Sequence, residues 1–437
     1  MDQFWILLGF IAGGIAILRF FQKTNTVIAF REFFIMLYAI NYLLSPAIIY
    51  SLPTELVEYA MKIVPGDYFP LALLGMGGLI AGTYSLKNSR LFTPNIKLTE
   101  IEAYLNATVL QQWVIGGIVS SLIATYFPGE IAFLIYLISL IRYVGAFGLI
   151  SMDLKRYWPY TLGLFLYEFI SALKYGMFHD FIMWVIFFLI YITFLIKLST
   201  IRKIVFLGLG LIFFSTIQNS KSSYRAAVAN GGGGISDFIN TAKVSDISGE
   251  QDFFLSTDFI GSITRINQAW ILASTVDNID KTQNFQELEN VKLYLEAALL
   301  PRVLAKNKLQ SGNKEIFNKY SGHTISQGTS MGLGIFADGY IAYGTWGVLI
   351  FGYALGLLFA YVFKIVIKWT QISPIFFLFI FPILNYAVRP DCEVQTILGH
   401  IVKSVLVYGC IVWYYKSYFK KRYAVVKELH ARGLISF

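Results

Sequence analysis

Residues 335–362 read IFADGYIAYGTWGVLIFGYALGLLFAYV, and this stretch decides the fold. Asp338 is its only charged side chain. A helix of roughly 20 apolar residues crosses the hydrocarbon layer of a bilayer, and this run is longer than that. Further runs of this kind lie near residues 3–20, 32–50, 69–86, 107–127, 130–150, 157–177, 179–197, 203–218, 372–390 and 397–418. The chain of 437 residues is 56% hydrophobic and only 14% charged, whereas a soluble domain carries roughly 25% charged residues. A single larger core cannot absorb the excess, because soluble cores stop growing near roughly 250–300 residues. The sequence therefore predicts an all-α polytopic membrane protein with about 11 transmembrane helices.

The net charge of +9 follows the same plan. Lys and Arg gather in alternate segments between the runs and in the tail beyond residue 415. Only Lys62, Lys174 and Arg389 fall in the short loops of the opposite side. Positive residues stay on the cytoplasmic face, which puts the N-terminus outside and the C-terminus inside. The first run has no basic residue before it and no small-residue cleavage site after it, so it reads as a retained helix rather than a signal peptide. Charge distributed this way suits anionic lipid rather than nucleic acid. Cys392 and Cys410 form no CxxC or Cys/His grouping, so neither a disulfide framework nor a zinc site is expected.

Three regions follow: a transmembrane bundle over residues 1–218, an extracytoplasmic loop domain over 219–334, and closing helices with a basic tail over 335–437. The middle region is polar and too long for a simple connector. Phe259 to Leu272 and Leu288 to Leu304 carry apolar residues at helical spacing, which predicts two amphipathic helices at the membrane face. Gly231 to Gly234 reads as a hinge, since no strand precedes it and its spacing matches no phosphate loop.

Several residues could carry chemistry. Arg142 and Glu168 sit mid-run in neighbouring antiparallel spans at similar depth. An ionisable residue at that depth is costly and marks either a structural ion pair or a cavity open to an anionic substrate. Lys403 and Arg389 lie near the outer end of their runs, as interface anchors or as flanks of a site. In the loop region Arg225, Arg265, Arg302 and Lys308 could grip a phosphate group through charge-assisted hydrogen bonds, or serve as ordinary surface charge. The stretch from Tyr320 to Gly347 is rich in glycine. His323 and Asp338 within it could accept a proton, or be a loop histidine and an interfacial helix cap.

Four stretches resemble the bacterial O-antigen and capsule repeat-unit polymerases of the Wzy type. They are Gln218-x-x-Lys221-x-x-Tyr224-Arg225, Arg265-Ile266-Asn267, Leu299-Leu300-Pro301-Arg302 with Lys308, and Ser330 through Asp338, Tyr340, Gly344 and Gly347. Asp338 stands where the family pattern has Glu. The resemblance implies an enzyme of the bacterial plasma membrane that joins undecaprenyl-diphosphate-linked repeat units on the outer face. It implies no metal, cofactor or nucleotide sugar. Arg225, Arg265 and Arg302, with Lys308 and Arg142 behind them, would hold the diphosphate leaving group, and Asp338 or His323 would take the acceptor proton. A chain-length regulator and a flippase are the implied partners, besides the lipid-linked glycan and the bilayer. Two other readings share the plan: an O-antigen ligase, and a non-enzymatic flippase or transporter of lipid-linked glycans. The absence of two related halves argues against the transporter.

Overall fold

A computed structural model describes residues 1–86, 106–203, 257–283, 288–300, 312–325 and 331–432, together with a few single positions between 205 and 285. The described residues form helices and connecting turns, with no strand among them. In chain order the helices are α1 (Asp2–Lys23), α2 (Phe30–Ser51), α3 (Pro65–Tyr84), α4 (Ala107–Ala124), α5 (Gly129–Met152), α6 (Leu154–Tyr175) and α7 (His179–Ile196). Four shorter ones follow: α8 (Thr257–Ile266), α9 (Ala269–Thr282), α10 (Leu288–Leu299) and α11 (Lys314–Ser321). The chain closes with α12 (Ile335–Thr370), a 3-10 turn at Pro374–Phe379, α13 (Ile380–Leu384) and α14 (Val394–Ala431).

Seven of these helices have the length and apolar composition to cross a bilayer: α1, α2, α4, α5, α7, α12 and α14 up to Phe419. The protein is thus an all-helical membrane protein. The other four expected spans differ from these. The runs at 69–86 and 157–177 are helical, as α3 and α6, but Asp67, Lys155, Arg156, Glu168 and Lys174 make them more polar. The run at 203–218 lies largely outside the described residues. The run at 372–390 is not one helix. Pro374 opens a 3-10 turn, Pro382 sits inside a five-residue helix, and turns follow to Pro390. Each proline removes a backbone donor and clashes with the preceding turn.

This discontinuous segment runs back through the middle of the protein. Trp369, at the far end of α12, lies 6.3 Å from the Phe379 ring. Asp338, near the start of α12, accepts the Val394 N–H at 2.9 Å. The chain therefore returns along α12 within some twenty residues before α14 begins. Ile375 to Leu384 are sealed from the outside, as are Ala387 and Val388. Irregular backbone at membrane depth is tolerated only inside protein or along a wet cavity. Side chains supply the missing donors here: Tyr38 Oη donates to Ala387 O at 3.2 Å and Tyr42 Oη to Pro390 O at 3.3 Å. Around it packs an aromatic core in which Phe34 stacks on Phe359 at 4.3 Å and Phe30 meets Phe381 edge-on at 5.1 Å.

The α3–α12 contact rests on small residues. Gly75, Gly78 and Gly82 face Gly352 and Gly356 so closely that a Cβ on Gly78, Gly82, Gly352 or Gly356 would strike the opposing backbone. Small residues allow such approach between membrane helices. Gly356→Val should therefore destabilise the protein by about 1–3 kcal/mol or more through overpacking. Gly77→Val should be neutral, because a Cβ at that position would meet nothing within 4 Å. Thermal unfolding in detergent separates the two, and equal midpoints would refute the contact.

Beyond the bundle, the segment expected to be one helix from Phe259 to Leu272 is two. α8 ends at Ile266, and Asn267–Gln268 turn the chain into α9. α10 stops at Leu299, two residues before Pro301, as a proline-disfavoured helix end should.

Candidate functional site

The turn between α8 and α9 carries Trp270 to the segment that joins α2 to α3. There Trp270 stacks on Tyr59, ring centroids 4.5 Å apart and planes at 16°. Trp270 is nearly closed from solvent, while Tyr59 is half-buried. The His323 ring meets Trp270 edge-on at 5.3 Å. One turn along α9, Ser274 Oγ lies 3.0 Å from His323 Nε2. A second contact, His323 N to Ser321 Oγ at 3.2 Å, holds the loop that leaves α11.

Two cations lean on this group. Burial lowers the basicity of His323, and the Lys62 ammonium lowers it further. His323 is therefore a neutral imidazole at pH 7, with a lone-pair nitrogen available as a proton acceptor. Burial and then the Glu58 carboxylate raise the Tyr59 hydroxyl, and the Arg265 guanidinium opposes them. Arg265 projects from an exposed position on α8. Arg265 and His323 thus share one neighbourhood, connected by Tyr59 and Trp270. An aromatic pair, a neutral base and two cations can receive a ligand with an apolar face, a hydroxyl and negative charge.

Asp338 belongs to a second, enclosed cluster. Its Oδ1 accepts Tyr294 Oη at 3.3 Å from α10, and its Oδ2 accepts Val394 N at 2.9 Å from the start of α14. Glu393 adjoins it, with Oε2 accepting Gly312 N at 3.2 Å and Gln395 Nε2 at 2.5 Å. Tyr340, one half-turn beyond Asp338, donates to Asp280 Oδ1 on α9 at 2.7 Å. α9 therefore touches both groups, His323 through Ser274 and the first turn of α12 through Asp280.

Arg142 lies deep in α5. Its Nε meets Glu168 Oε1 of α6 at 2.7 Å, and its Nη1 meets Ser139 Oγ at 2.7 Å. Arg389 binds Asp180 at 3.2 Å and Asp391 at 3.4 Å, with its guanidinium over the Tyr386 ring. Lys403 reaches over the Phe133 ring at 5.2 Å. Arg225, Arg302 and Lys308 lie outside the described residues, as do Lys221 and the four glycines at 231–234. No group of three His, Cys, Asp or Glu among the described residues is placed to hold a metal ion.

Tyr59, Trp270, Ser274, Tyr294 and Glu393 did not stand out in the sequence. With 28 Tyr and 8 Trp in the chain, an aromatic residue carries little information by itself. Glu393 did offer a signal, the charged run Arg389-Pro390-Asp391-Cys392-Glu393 between two apolar stretches.

No curated protein and no solved structure matches the chain. A family described as a domain of unknown function, DUF8712, matches residues 70–370. The match runs from α3 to the last residue of α12 and takes in Arg142, Arg265, His323 and Asp338. It covers well over half of the sequence, and the chain belongs to the DUF8712 family.

Proposed function

We propose that the protein is a polymerase of the bacterial plasma membrane, joining undecaprenyl-diphosphate-linked oligosaccharide units on the outer face. The observation that carries this reading is the grouping of His323, Trp270, Tyr59, Arg265 and Lys62 beside the membrane helices. A sugar ring has apolar C–H faces that suit the Tyr59–Trp270 pair. The acceptor hydroxyl attacks the anomeric carbon of the donor glycan, and the bond from that carbon to the diphosphate oxygen breaks. The hydroxyl proton passes to the free ring nitrogen of His323, whose Nε2 is held by Ser274 Oγ. Arg265, with Arg225, Arg302 and Lys308, takes the charge that develops on the leaving diphosphate. Asp338 joins the starts of α12 and α14, and Arg142 joins α5 to α6 within the bundle. In this reading the N-terminus faces outward and the basic tail faces the cytoplasm.

The discontinuous segment at 374–393 favours a second reading, a transporter of lipid-linked glycans, since broken helices at membrane depth are common in transporters. One experiment separates the two. Purified protein in liposomes is given a synthetic undecaprenyl-diphosphate repeat unit, with no metal or nucleotide added. A ladder of longer glycans supports the polymerase. Translocation of single units without any ladder rejects it in favour of the transporter. In the same assay Arg265→Ala should slow the ladder by roughly 10- to 100-fold, the worth of one charge-assisted hydrogen bond of about 1.5–3 kcal/mol. An unchanged rate removes Arg265 from the site.

A further inference from the structure

Two carboxyl groups share an enclosed space where α12 and α14 begin: Asp338 Oδ2 accepts the N–H of Val394, the residue after Glu393. Asp338 and Glu393 are 2% and 3% exposed. Neither forms an ion pair with a Lys or Arg among the described residues. Their donors are neutral: Tyr294 Oη and Val394 N for Asp338, Gly312 N and Gln395 Nε2 for Glu393. Two carboxylates in one dry site, with no cationic partner among the described residues, cannot both ionise cheaply. A further polar atom suits a proton held here. Gln395 is 7% exposed, its Nε2 is turned onto Glu393, and its Oε1 accepts from no donor among the described residues.

We propose that Asp338 and Glu393 form a one-proton site that fastens α10 and residues 312–325 to the ends of the membrane helices α12 and α14. The ligand is a proton, and it bridges two parts of the chain. Tyr294 of α10, Gly312 before α11 and Leu333 before α12 approach the carboxyls from one side, and Asp338, Val394 and Gln395 from the membrane helices. The other titratable groups around the site are Tyr320 from α11, Tyr42 from α2, and Arg389, Asp391 and Cys392 from the same segment as Glu393. Arg389 is committed to Asp180 and Asp391, so it does not neutralise the pair.

Burial first, and the Asp338 charge second, push the Glu393 carboxyl upward from 4.5 to about 8. A raised carboxyl keeps in the folded protein a proton that the unfolded chain has released. Its stabilising effect is therefore complete below about 4.5 and is lost as pH rises toward about 8. Above that range two negative charges share the enclosure, and the docked region loosens. The proton site stands independently of the glycan reading.

The test uses the purified full-length protein in detergent. Infrared difference spectra at neutral pH should show a protonated-carboxyl band in the wild type that is absent from D338N/E393Q. Limited proteolysis within α10 and residues 312–325 should accelerate in the wild type as pH rises from about 6 to about 9 and stay flat in the double variant. Should the double variant fail to fold, E393Q alone serves, since it keeps both Asp338 hydrogen bonds and removes the repulsion; its cleavage should accelerate with pH less than that of the wild type. Identical spectra for wild type and variant, or wild-type cleavage independent of pH, would overturn the proposal.

Discussion

Replacing His323 with alanine is expected to slow glycan polymerisation by roughly 10²–10⁴-fold, the usual contribution of a positioned acid–base group. The expectation rests on three features of its setting. The ring is held by Ser274 Oγ at 3.0 Å and by the edge contact with Trp270, so its orientation is defined. Burial and Lys62 both favour the uncharged imidazole. The site opens beside Tyr59 and Arg265 rather than into the sealed core. The sign of the pH dependence follows. A base works when unprotonated, so the rate should rise as pH climbs through a value below the ordinary 6.5 and then level off. His323→Ala should abolish that acid limb as well as the rate. Lys62→Ala should move the limb to higher pH, because the ammonium that disfavours the imidazolium is gone. A His323→Ala enzyme with wild-type turnover and an unshifted acid limb removes the histidine from the chemistry.

Glu168→Ala should destabilise the folded protein by about 3–5 kcal/mol, because it strands a buried guanidinium. The Arg142 side chain is 5% exposed and the Glu168 side chain 13%, and their contact is a single short bond at 2.7 Å. Ser139 satisfies one further N–H, but it brings no charge. Losing the carboxylate leaves Arg142, among the described residues, with that hydroxyl and the Tyr143 ring, whose centroid is 4.7 Å from the guanidinium carbon. The double change Arg142→Met with Glu168→Leu should recover most of the stability, since a packed apolar pair often matches a buried ion pair. Unfolding curves in one detergent compare all three proteins. If Glu168→Ala melts with the wild type, the pair contributes nothing and Arg142 is satisfied by other means.

Most of the bundle was legible because its helices are uninterrupted. α1, α7 and α14 show long apolar runs bounded by charge, and such runs leave little choice of structure. The stretch at 372–390 misled for a physical reason. Its residues are as apolar as those of a lipid-facing helix, but they face protein on every side. Composition reports a preference for apolar surroundings and does not distinguish lipid from protein. Pro374, Pro382 and Pro390 were the available signs of a break.

The candidate site was legible only in part. His323, Asp338 and Arg265 stood out as isolated chemical groups, but their grouping depends on contacts remote in sequence. Tyr59 and Trp270 come from separate regions of the chain, and no periodicity connects them. Glu393 was hidden by its neighbours, since a charged stretch between two spans reads as an outer loop. The structure turns that stretch inward, against Asp338 and Gly312.

The enclosed return segment also bears on how the protein is made. A translocon releases helices into lipid as they emerge, and a piece whose carbonyls rely on side chains of other helices has no stable place there. Its partners come from both ends of the chain: Tyr38 and Tyr42 are synthesised early, and His400, which contacts Pro382 O at 2.8 Å, comes last. Residues 374–393 must therefore wait in a sheltered position until α14 is inserted. Biogenesis ends with the closing of this seam, and chains truncated before α14 should be substrates for membrane quality control.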